Sequence, residues 1–201
     1  MKKLYSKIMK PLAGVVKMLF FLLLAFFIIL YLLAKPSPQY AAEQDVVSEM
    51  SEAEFLEQFT PYAQEVSESH GVRPSLLVAQ AALESNWGKS QLAKESNNYF
   101  GVKNPAGKAY STKEFTQNEW TEVKASFREY DSAYDSVLDY ADLLKNGTSW
   151  DADLYHEVIE ATSYEEAAYA LSKAGYATDP NYAEKIIKII DSHDLDTLDN
   201  F

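Results

Sequence analysis

The stretch SLLVAQAALESNWGKSQLAKESNNYFGVK, residues 75–103, combines an apolar helical pattern with an abrupt change to turn-forming residues. The 3.6-residue helical repeat groups the side chains of this stretch on two adjacent helix faces. One face carries Leu76, Gln80, Leu83 and Trp87, and the other face carries Leu77, Ala81 and Glu84. The pattern ends at the turn Asn86-Trp87-Gly88. The sequence therefore predicts a largely apolar helix with one carboxyl group, Glu84, near its C-terminal end.

The surroundings of Glu84 favour a chemical role over an ordinary surface position. Most helical glutamates are solvated surface groups, but here the helical neighbours are apolar, and Trp87 and Gly88 follow within four residues. A carboxyl group held against an apolar wall and an aromatic ring keeps its proton to higher pH, because desolvation disfavours the charged form. Such a group can act as the general acid that protonates a glycosidic oxygen.

The flanking segments predict further helices. Ser51 and Glu54 form a capping-box pair at the start of one helix, Gly71 ends it, and Pro74 or Ser75 begins the next. Three later helices are predicted, in AYDSVLDYADLLKNG (133–147), SYEEAAYALSKAG (163–175) and NYAEKIIKIIDSH (181–193).

The middle of the chain has a different composition. Residues 98–128 are rich in Thr, Tyr, Phe, Val, Asn and Gly, which favour strands and turns. YSTKEF (110–115) and EVKASFREY (122–130) are the predicted strands, and TQNEWT (116–121) is their predicted turn. The predicted fold is therefore α+β of lysozyme type, mainly helical with one small antiparallel hairpin.

The N-terminal part predicts a membrane anchor. Residues 18–34 form an uninterrupted apolar run of 17 residues, and a helix of about 20 residues spans a bilayer core of roughly 30 Å. Six lysines and no acidic residue occur in residues 1–36, which predicts a cytoplasmic N-terminus and an external body. The predicted organisation is an N-terminus and transmembrane helix (1–36), a proline-containing linker (37–50) and a catalytic domain (51–201). A cleavable signal peptide is the alternative, and fractionation of membrane and medium distinguishes the two.

The composition excludes several classes of site. Residues 37–201 hold 12 basic and 30 acidic side chains, a formal charge of −18, which disfavours nucleic acid as a partner. The chain has no cysteine, so disulfides, thiol catalysis and zinc–thiolate sites are excluded. Its three histidines, His70, His156 and His193, lie far apart without ligand spacing, so we expect no metal site.

Several motifs resemble one known enzyme family. The segments SLLVAQAALESNWGKSQLA, NYFGVK, FREYDS and LSKAGYATDPNYAEKIIKII occur in this order between residues 75 and 190. Together they resemble the peptidoglycan N-acetylglucosaminidases of glycoside hydrolase family 73, over about residues 52–192. The resemblance implies that Glu84 is the catalytic acid and that the hairpin carries a second carboxylate. Glu114 in YSTKEF matches that position, with Glu119 and Glu122 as alternatives.

The same resemblance implies a set of substrate-binding residues. Tyr176 and Tyr182 match tyrosines of the family's substrate cleft, and a tyrosine can stack on a sugar face or donate a hydrogen bond; core packing is the alternative for Tyr182. The other predicted members are Trp87, Asn98, Phe100 and Gly101, with Trp120 at the hairpin tip as a further glycan contact.

The implied reaction is hydrolysis of the β-1,4 bond between N-acetylglucosamine and N-acetylmuramic acid, without metal or organic cofactor. Attack by water activated by Glu114, a covalent carboxylate intermediate and attack by the substrate's N-acetyl oxygen all remain open. The implied partners are peptidoglycan glycan strands, the membrane and an unidentified membrane protein. The predicted anchor and the cell-wall substrate together indicate that the protein is located in the cell membrane of a Gram-positive bacterium, with its catalytic domain facing the cell wall. A muramidase or lytic transglycosylase of the same fold, and a non-catalytic wall-binding protein, are the alternatives.

Overall fold

The computed structural model describes residues 50–116 and 119–200. These form α1 (Glu52–His70), α2 (Pro74–Ser85), α3 (Gln91–Ser96), β1 (Lys103–Thr116), β2 (Glu119–Phe127), α4 (Ala133–Asn146), α5 (His156–Ile159), α6 (Tyr164–Lys173), α7 (Tyr182–Ser192) and a terminal 3₁₀ turn, η1 (Leu195–Asp199). The predicted arrangement of helices with one small antiparallel sheet is confirmed. The short elements α3, α5 and η1 were not predicted.

The predicted start and end signals act as expected at α1. The Ser51 side chain accepts a hydrogen bond from the Glu54 amide, and the Glu54 carboxylate accepts one from the Ser51 amide at 2.7 Å. Gly71 ends the helix with φ of +74°, a left-handed conformation that costs glycine no steric strain. Both ends of α1 are thus defined by local sequence alone.

The N-terminus of α2 depends on a distant residue instead. Arg73 precedes the helix and offers no side-chain cap. The carboxylate of Asp199 in η1 accepts hydrogen bonds from the Ser75 amide at 3.0 Å and the Ser75 hydroxyl at 2.8 Å. It also accepts one from the Arg73 guanidinium at 3.3 Å. Because a negative charge at a helix N-terminus is favourable, η1 stabilises the N-terminus of the helix that carries Glu84.

Helix α2 lies in the centre of the domain. Ten of its 12 residues are buried, as expected for a helix that is apolar on all sides. It packs against α1, α4, α6, α7 and η1. Phe55 and Phe59 of α1 stack at a centroid distance of 4.2 Å in the adjoining core. The C-terminal end of α2 is therefore carried on the most constrained element of the fold.

The hairpin differs from its prediction in its turn. Glu119, Trp120 and Thr121 were expected in the turn but belong to β2, where they pair with Thr116, Phe115 and Glu114. The predicted second strand also extended too far, because β2 ends at Phe127. A shorter turn leaves more strand residues paired, since each added antiparallel pair satisfies further backbone groups. Tyr110 anchors β1 to the helices through its hydroxyl, 2.7 Å from the Ser96 hydroxyl.

The predicted anchor and linker lie outside the described residues. Within the described part of the chain, no helix is long and apolar enough to cross a membrane.

Candidate active site

Glu84 lies in the last turn of α2, two residues before the first of three residues in the left-handed conformation. Asn86, Trp87 and Gly88 have φ of +51°, +58° and +74°. Such values are uncommon for residues other than glycine and mark functional or strained positions. Two hydrogen bonds support the turn, from the Trp87 amide to the Ala82 carbonyl at 2.8 Å and from the Gly88 amide to the Ser85 hydroxyl at 2.7 Å. The turn ends the helix within two residues of the carboxyl group.

Three polar side chains connect Glu84 to the core. The Tyr182 hydroxyl donates to Glu84 Oε1 at 2.7 Å and accepts from Gln80 Nε2 at 3.1 Å. The Tyr140 hydroxyl donates to Gln80 Oε1 at 2.8 Å. Every donor in this chain points toward Glu84, which aligns the dipoles. Because Gln80 and Tyr140 are fully buried and Tyr182 nearly so, the chain holds one oxygen of the carboxyl group in place.

The environment of Glu84 favours the protonated form of its carboxyl group. Solvent reaches its side chain, yet the surrounding protein displaces most of the water that would stabilise its charge. Desolvation raises the pKa of Glu84 above the ordinary carboxyl value, and the Tyr182 hydrogen bond and the charge of Lys185 oppose that rise. A carboxyl group that retains its proton and remains accessible can donate that proton to a bound substrate.

Tyr176 and Phe100 form an aromatic wall beside the same hydrogen-bond chain. The Tyr176 hydroxyl donates to the Phe100 carbonyl at 2.8 Å, and its ring lies 5.7 Å from that of Tyr182. Phe100 stacks on Tyr140 at 4.2 Å. Of the two predicted tyrosines, Tyr176 is half-buried, whereas Tyr182 packs in the core and still reaches Glu84 with its hydroxyl.

Asn98 and Gly101 shape the loop between α3 and the hairpin. The Asn98 side chain donates to the carbonyls of Val102 and Arg128 at 3.0 and 2.8 Å, and it accepts from the Val102 amide at 3.1 Å. These three bonds occupy a side chain that is almost completely buried. Gly101 has φ of +67°. Asn98 thus fixes the loop that carries Phe100, and substrate contact by these residues remains a prediction.

The Trp87 ring packs against two other aromatic rings. It packs edge-on against Phe55 at 5.6 Å and against His193 at 4.9 Å. The aromatic residue that hydrogen-bonds to Glu84 is Tyr182. Substrate binding by Trp87 remains a prediction.

The hairpin register separates the three candidate carboxylates. Position 114 pairs with Thr121, and position 119 pairs with Thr116. Because strand residues alternate between faces, both positions share the face of Tyr110, which is anchored to α3. Glu122 pairs with Lys113 and belongs to the opposite face. The register therefore favours Glu114 or Glu119 over Glu122 as a partner of Glu84.

Sequence reasoning missed Gln80 and Tyr140. The signal for Gln80 was present, as a lone amide one helical turn before Glu84 in an otherwise apolar helix. Tyr140 had no local signal, because its contact with Gln80 joins residues 60 positions apart. Among residues 50–116 and 119–200, no group of three or more His, Asp or Glu side chains is arranged to hold a metal ion.

Replacing Tyr182 with phenylalanine tests the hydrogen bond to Glu84. The Tyr182 hydroxyl lowers the pKa of Glu84, so its loss should raise that pKa and move the alkaline limb of kcat/KM to higher pH. Activity at the optimum should fall roughly tenfold, because a hydrogen bond to a charged group contributes about 1.5 kcal/mol. The measurement is a pH–rate profile on solubilised glycan strands, the substrate that the resemblance to family 73 implies.

Tyr176→Phe provides the matched control, since the Tyr176 hydroxyl donates to a backbone carbonyl and not to Glu84. The alkaline limb of kcat/KM for this variant should occur at the same pH as in the unmodified protein. An equal displacement in both variants, or none in Tyr182→Phe, contradicts the assignment.

Comparison with known proteins identifies relatives of the whole described domain. The family described as mannosyl-glycoprotein endo-beta-N-acetylglucosaminidase matches residues 60–195. The exo-glucosaminidase LytG of Bacillus subtilis is 41% identical over 187 residues, covering 90% of this chain and 65% of LytG. The peptidoglycan hydrolase FlgJ of Salmonella typhimurium is 38% identical over 168 residues, covering 79% of this chain and 52% of FlgJ. The chain thus spans about two thirds or less of these relatives.

Solved structures give the same result. The catalytic domain of the autolysin Auto from Listeria monocytogenes is 31% identical and superposes with a TM-score of 0.65. That match covers 82% of this chain and 99% of the Auto domain.

Proposed function

The chain belongs to the mannosyl-glycoprotein endo-beta-N-acetylglucosaminidase family, and from this membership we propose that it hydrolyses peptidoglycan at the β-1,4 bond between N-acetylglucosamine and N-acetylmuramic acid. The single observation that carries the proposal is the accessible Glu84 carboxyl group, with its raised pKa and its hydrogen bond from Tyr182. Similarity to an exo-glucosaminidase, a peptidoglycan hydrolase and an autolysin supports the choice of substrate.

In the proposed mechanism, Glu84 protonates the glycosidic oxygen of the leaving sugar. One carboxylate oxygen accepts the Tyr182 hydroxyl, which leaves the other oxygen to carry the proton toward the substrate. Loss of the proton then produces a carboxylate that the same hydroxyl and the nearby charge of Lys185 stabilise. The chain of Tyr140, Gln80 and Tyr182 is already oriented before the reaction, so little reorganisation is needed as charge develops.

The second step requires a group on the hairpin or on the substrate. Glu114 is the proposed residue, because the hairpin register puts position 114 on the face of Tyr110. A carboxylate separation of about 6.5–9.5 Å accompanies attack by water, and one of about 5–5.5 Å accompanies a covalent intermediate. Attack by the N-acetyl oxygen of the substrate is the third route, and it needs no second carboxylate.

We also propose that residues 18–34 hold the enzyme at the membrane, with its catalytic domain facing the wall. The support is the apolar run of 17 residues and the lysines that precede it. Tethering raises the local concentration of an enzyme at an insoluble substrate. Membrane and medium fractions separated by blotting test this part, and a shortened protein found only in the medium contradicts it.

Identification of the new reducing ends tests the proposed bond. The full-length chain is incubated with purified peptidoglycan, and the products are reduced with borohydride and analysed by mass spectrometry. Reduced N-acetylglucosamine ends are expected. Reduced muramic ends would identify a muramidase, and anhydro ends a lytic transglycosylase. The length of the fragments distinguishes two modes of cleavage. We propose internal cleavage, in agreement with the description of the family, and expect long fragments. Release of single units from chain ends is the alternative, which the name of LytG indicates for that relative.

A further inference from the structure

A second concave surface is lined by Leu83, the residue before Glu84, and its lining does not include Tyr140, Tyr176 or Tyr182. This surface, the Trp87 groove, lies between the end of α2 and α7 and has a volume of about 410 Å³. Leu83, Trp87 and Ile189 form its apolar part, and Lys185, Lys188 and His193 contribute its basic groups. The groove thus combines an aromatic platform with cationic side chains.

Two residues that line the groove lie next to the proposed site. Leu83 directly precedes Glu84, and the Lys185 ammonium is close enough to Glu84 to lower its pKa. Lys185 also follows Tyr182 by one helical turn on α7. A substituent on a sugar bound at Glu84 therefore has a short path into the groove.

The groove carries both basic and acidic groups. Two acidic groups face it: Glu52, whose carboxylate lies 3.4 Å from His193 Nε2, and Asp179, which pairs with Lys185. Lys188 is exposed and forms no ion pair with any other described residue. The carboxylates of Glu52 and Asp179 thus balance the two lysines in number, and the Lys188 ammonium is the lining cation without a carboxylate partner in the described part of the chain. An ammonium group of this kind, beside an apolar wall, favours a ligand that carries an anionic group.

We propose that the Trp87 groove binds the carboxylates of the peptide attached to N-acetylmuramic acid, and so acts as a stem-peptide subsite. This proposal rests on peptidoglycan as the substrate. Every muramic unit carries a lactyl group extended by a peptide with free carboxylates, so such a group necessarily comes near Glu84. The methyl groups of lactate and alanine fit an apolar wall of Leu83 and Ile189, and the carboxylates fit Lys188.

The first test measures binding without catalysis. The full-length chain in detergent is titrated with N-acetylmuramoyl-L-alanyl-D-glutamate and with its neutral diamide, by calorimetry. The dianion should bind about fivefold more tightly than the diamide, the effect expected of one exposed ion pair. Lys188→Glu should remove this difference. Lys145→Glu is the matched control on α4, and it should retain the difference because Lys145 donates to the Ser69 carbonyl and does not line the groove.

The second test compares intact glycan strands with the same strands after an amidase has removed their peptides. Lys188→Glu should raise KM about fivefold for the intact strands, again the effect of one ion pair, and leave KM for the denuded strands and both kcat values unchanged. An equal change on both substrates, or no change on either, overturns the subsite.

Two further outcomes distinguish a stem-peptide subsite from a failed hydrolase assignment and from a different anionic ligand. If the unmodified protein cleaves neither substrate, the proposed hydrolase function fails, while the difference between dianion and diamide still decides the subsite. Poly(glycerol phosphate) serves as the competing anionic probe. If this polymer binds in a Lys188-dependent way and the muramoyl peptide does not bind, the groove recognises phosphate polymers and the stem-peptide proposal is overturned.

Discussion

Replacing Glu84 with glutamine should reduce the release of glycan fragments from purified peptidoglycan about a thousandfold, within the range expected for loss of a general acid. Glutamine preserves the shape of the side chain and can still accept the hydrogen bond from Tyr182, so only the transferable proton is lost. The measurement is the rate of new reducing ends, for the full-length chain and the variant at equal concentration.

The same variant should be at least as stable as the unmodified protein at neutral pH. Desolvation raises the pKa of Glu84 in the folded protein. The stabilising contribution of its protonated form is therefore complete below the pKa of the unfolded chain and is lost as the pH rises through the folded pKa. Glutamine cannot ionise, so the Tm of Glu84→Gln minus the Tm of the unmodified protein should increase as the pH rises from about 4 to about 7.

Glu68→Gln is the matched control, because Glu68 is an exposed residue of α1. It should retain full activity and show no such pH-dependent gain. Retained activity in Glu84→Gln contradicts the catalytic assignment, whereas a Tm that falls equally at both pH values indicates a folding defect.

The local signals in the sequence predicted the parts of the fold that short segments determine by themselves. The capping box at Ser51 and the left-handed end at Gly71 both depend on residues within a few positions of each other, and both are confirmed. The apolar repeat likewise predicted α2 up to the turn at Asn86. These features follow from backbone geometry, which one segment specifies without the rest of the chain.

Contacts between distant residues could not be predicted in the same way. Tyr182 reaches Glu84 across 98 positions, and Asp199 reaches Ser75 across 124. No periodicity or capping signal connects such pairs, because their proximity results from helix packing. Resemblance to the family did predict Tyr182 as a site residue, but the core amide of Gln80, which orients it, follows only from the structure.

The hairpin shows an intermediate case. Its two strands were predicted from composition, but the predicted turn included three residues that belong to the second strand, since Glu119–Thr121 pair in β2. Strand and turn propensities overlap for Thr, Glu and Trp in such a segment, and the cross-strand pairs that decide between them are not local. The observed register favours Glu114 or Glu119 over Glu122.

Replacing Glu114 with glutamine should lower hydrolysis about a hundredfold, as expected for loss of a general base or nucleophile. Position 114 lies on the hairpin face of Tyr110, about 13 Å along the strand from it at the usual rise per residue. Tyr110 joins this face to α3, the helix that follows the Glu84 turn. The register and this connection are the basis for choosing position 114.

Glu119→Gln and Glu122→Gln are the matched comparisons. If Glu114 is the second catalytic group, neither of these exposed carboxylates takes part in the reaction, so each variant should retain activity within about threefold. Initial rates of fragment release for the three variants decide between the positions. If Glu119→Gln loses the most activity, the second catalytic carboxylate is Glu119, next to the turn. If Glu122→Gln loses the most activity, the argument from the register is wrong. Full activity in all three variants would exclude hairpin participation and favour attack by the N-acetyl oxygen of the substrate, which would leave Glu84 as the only carboxylate that the reaction needs.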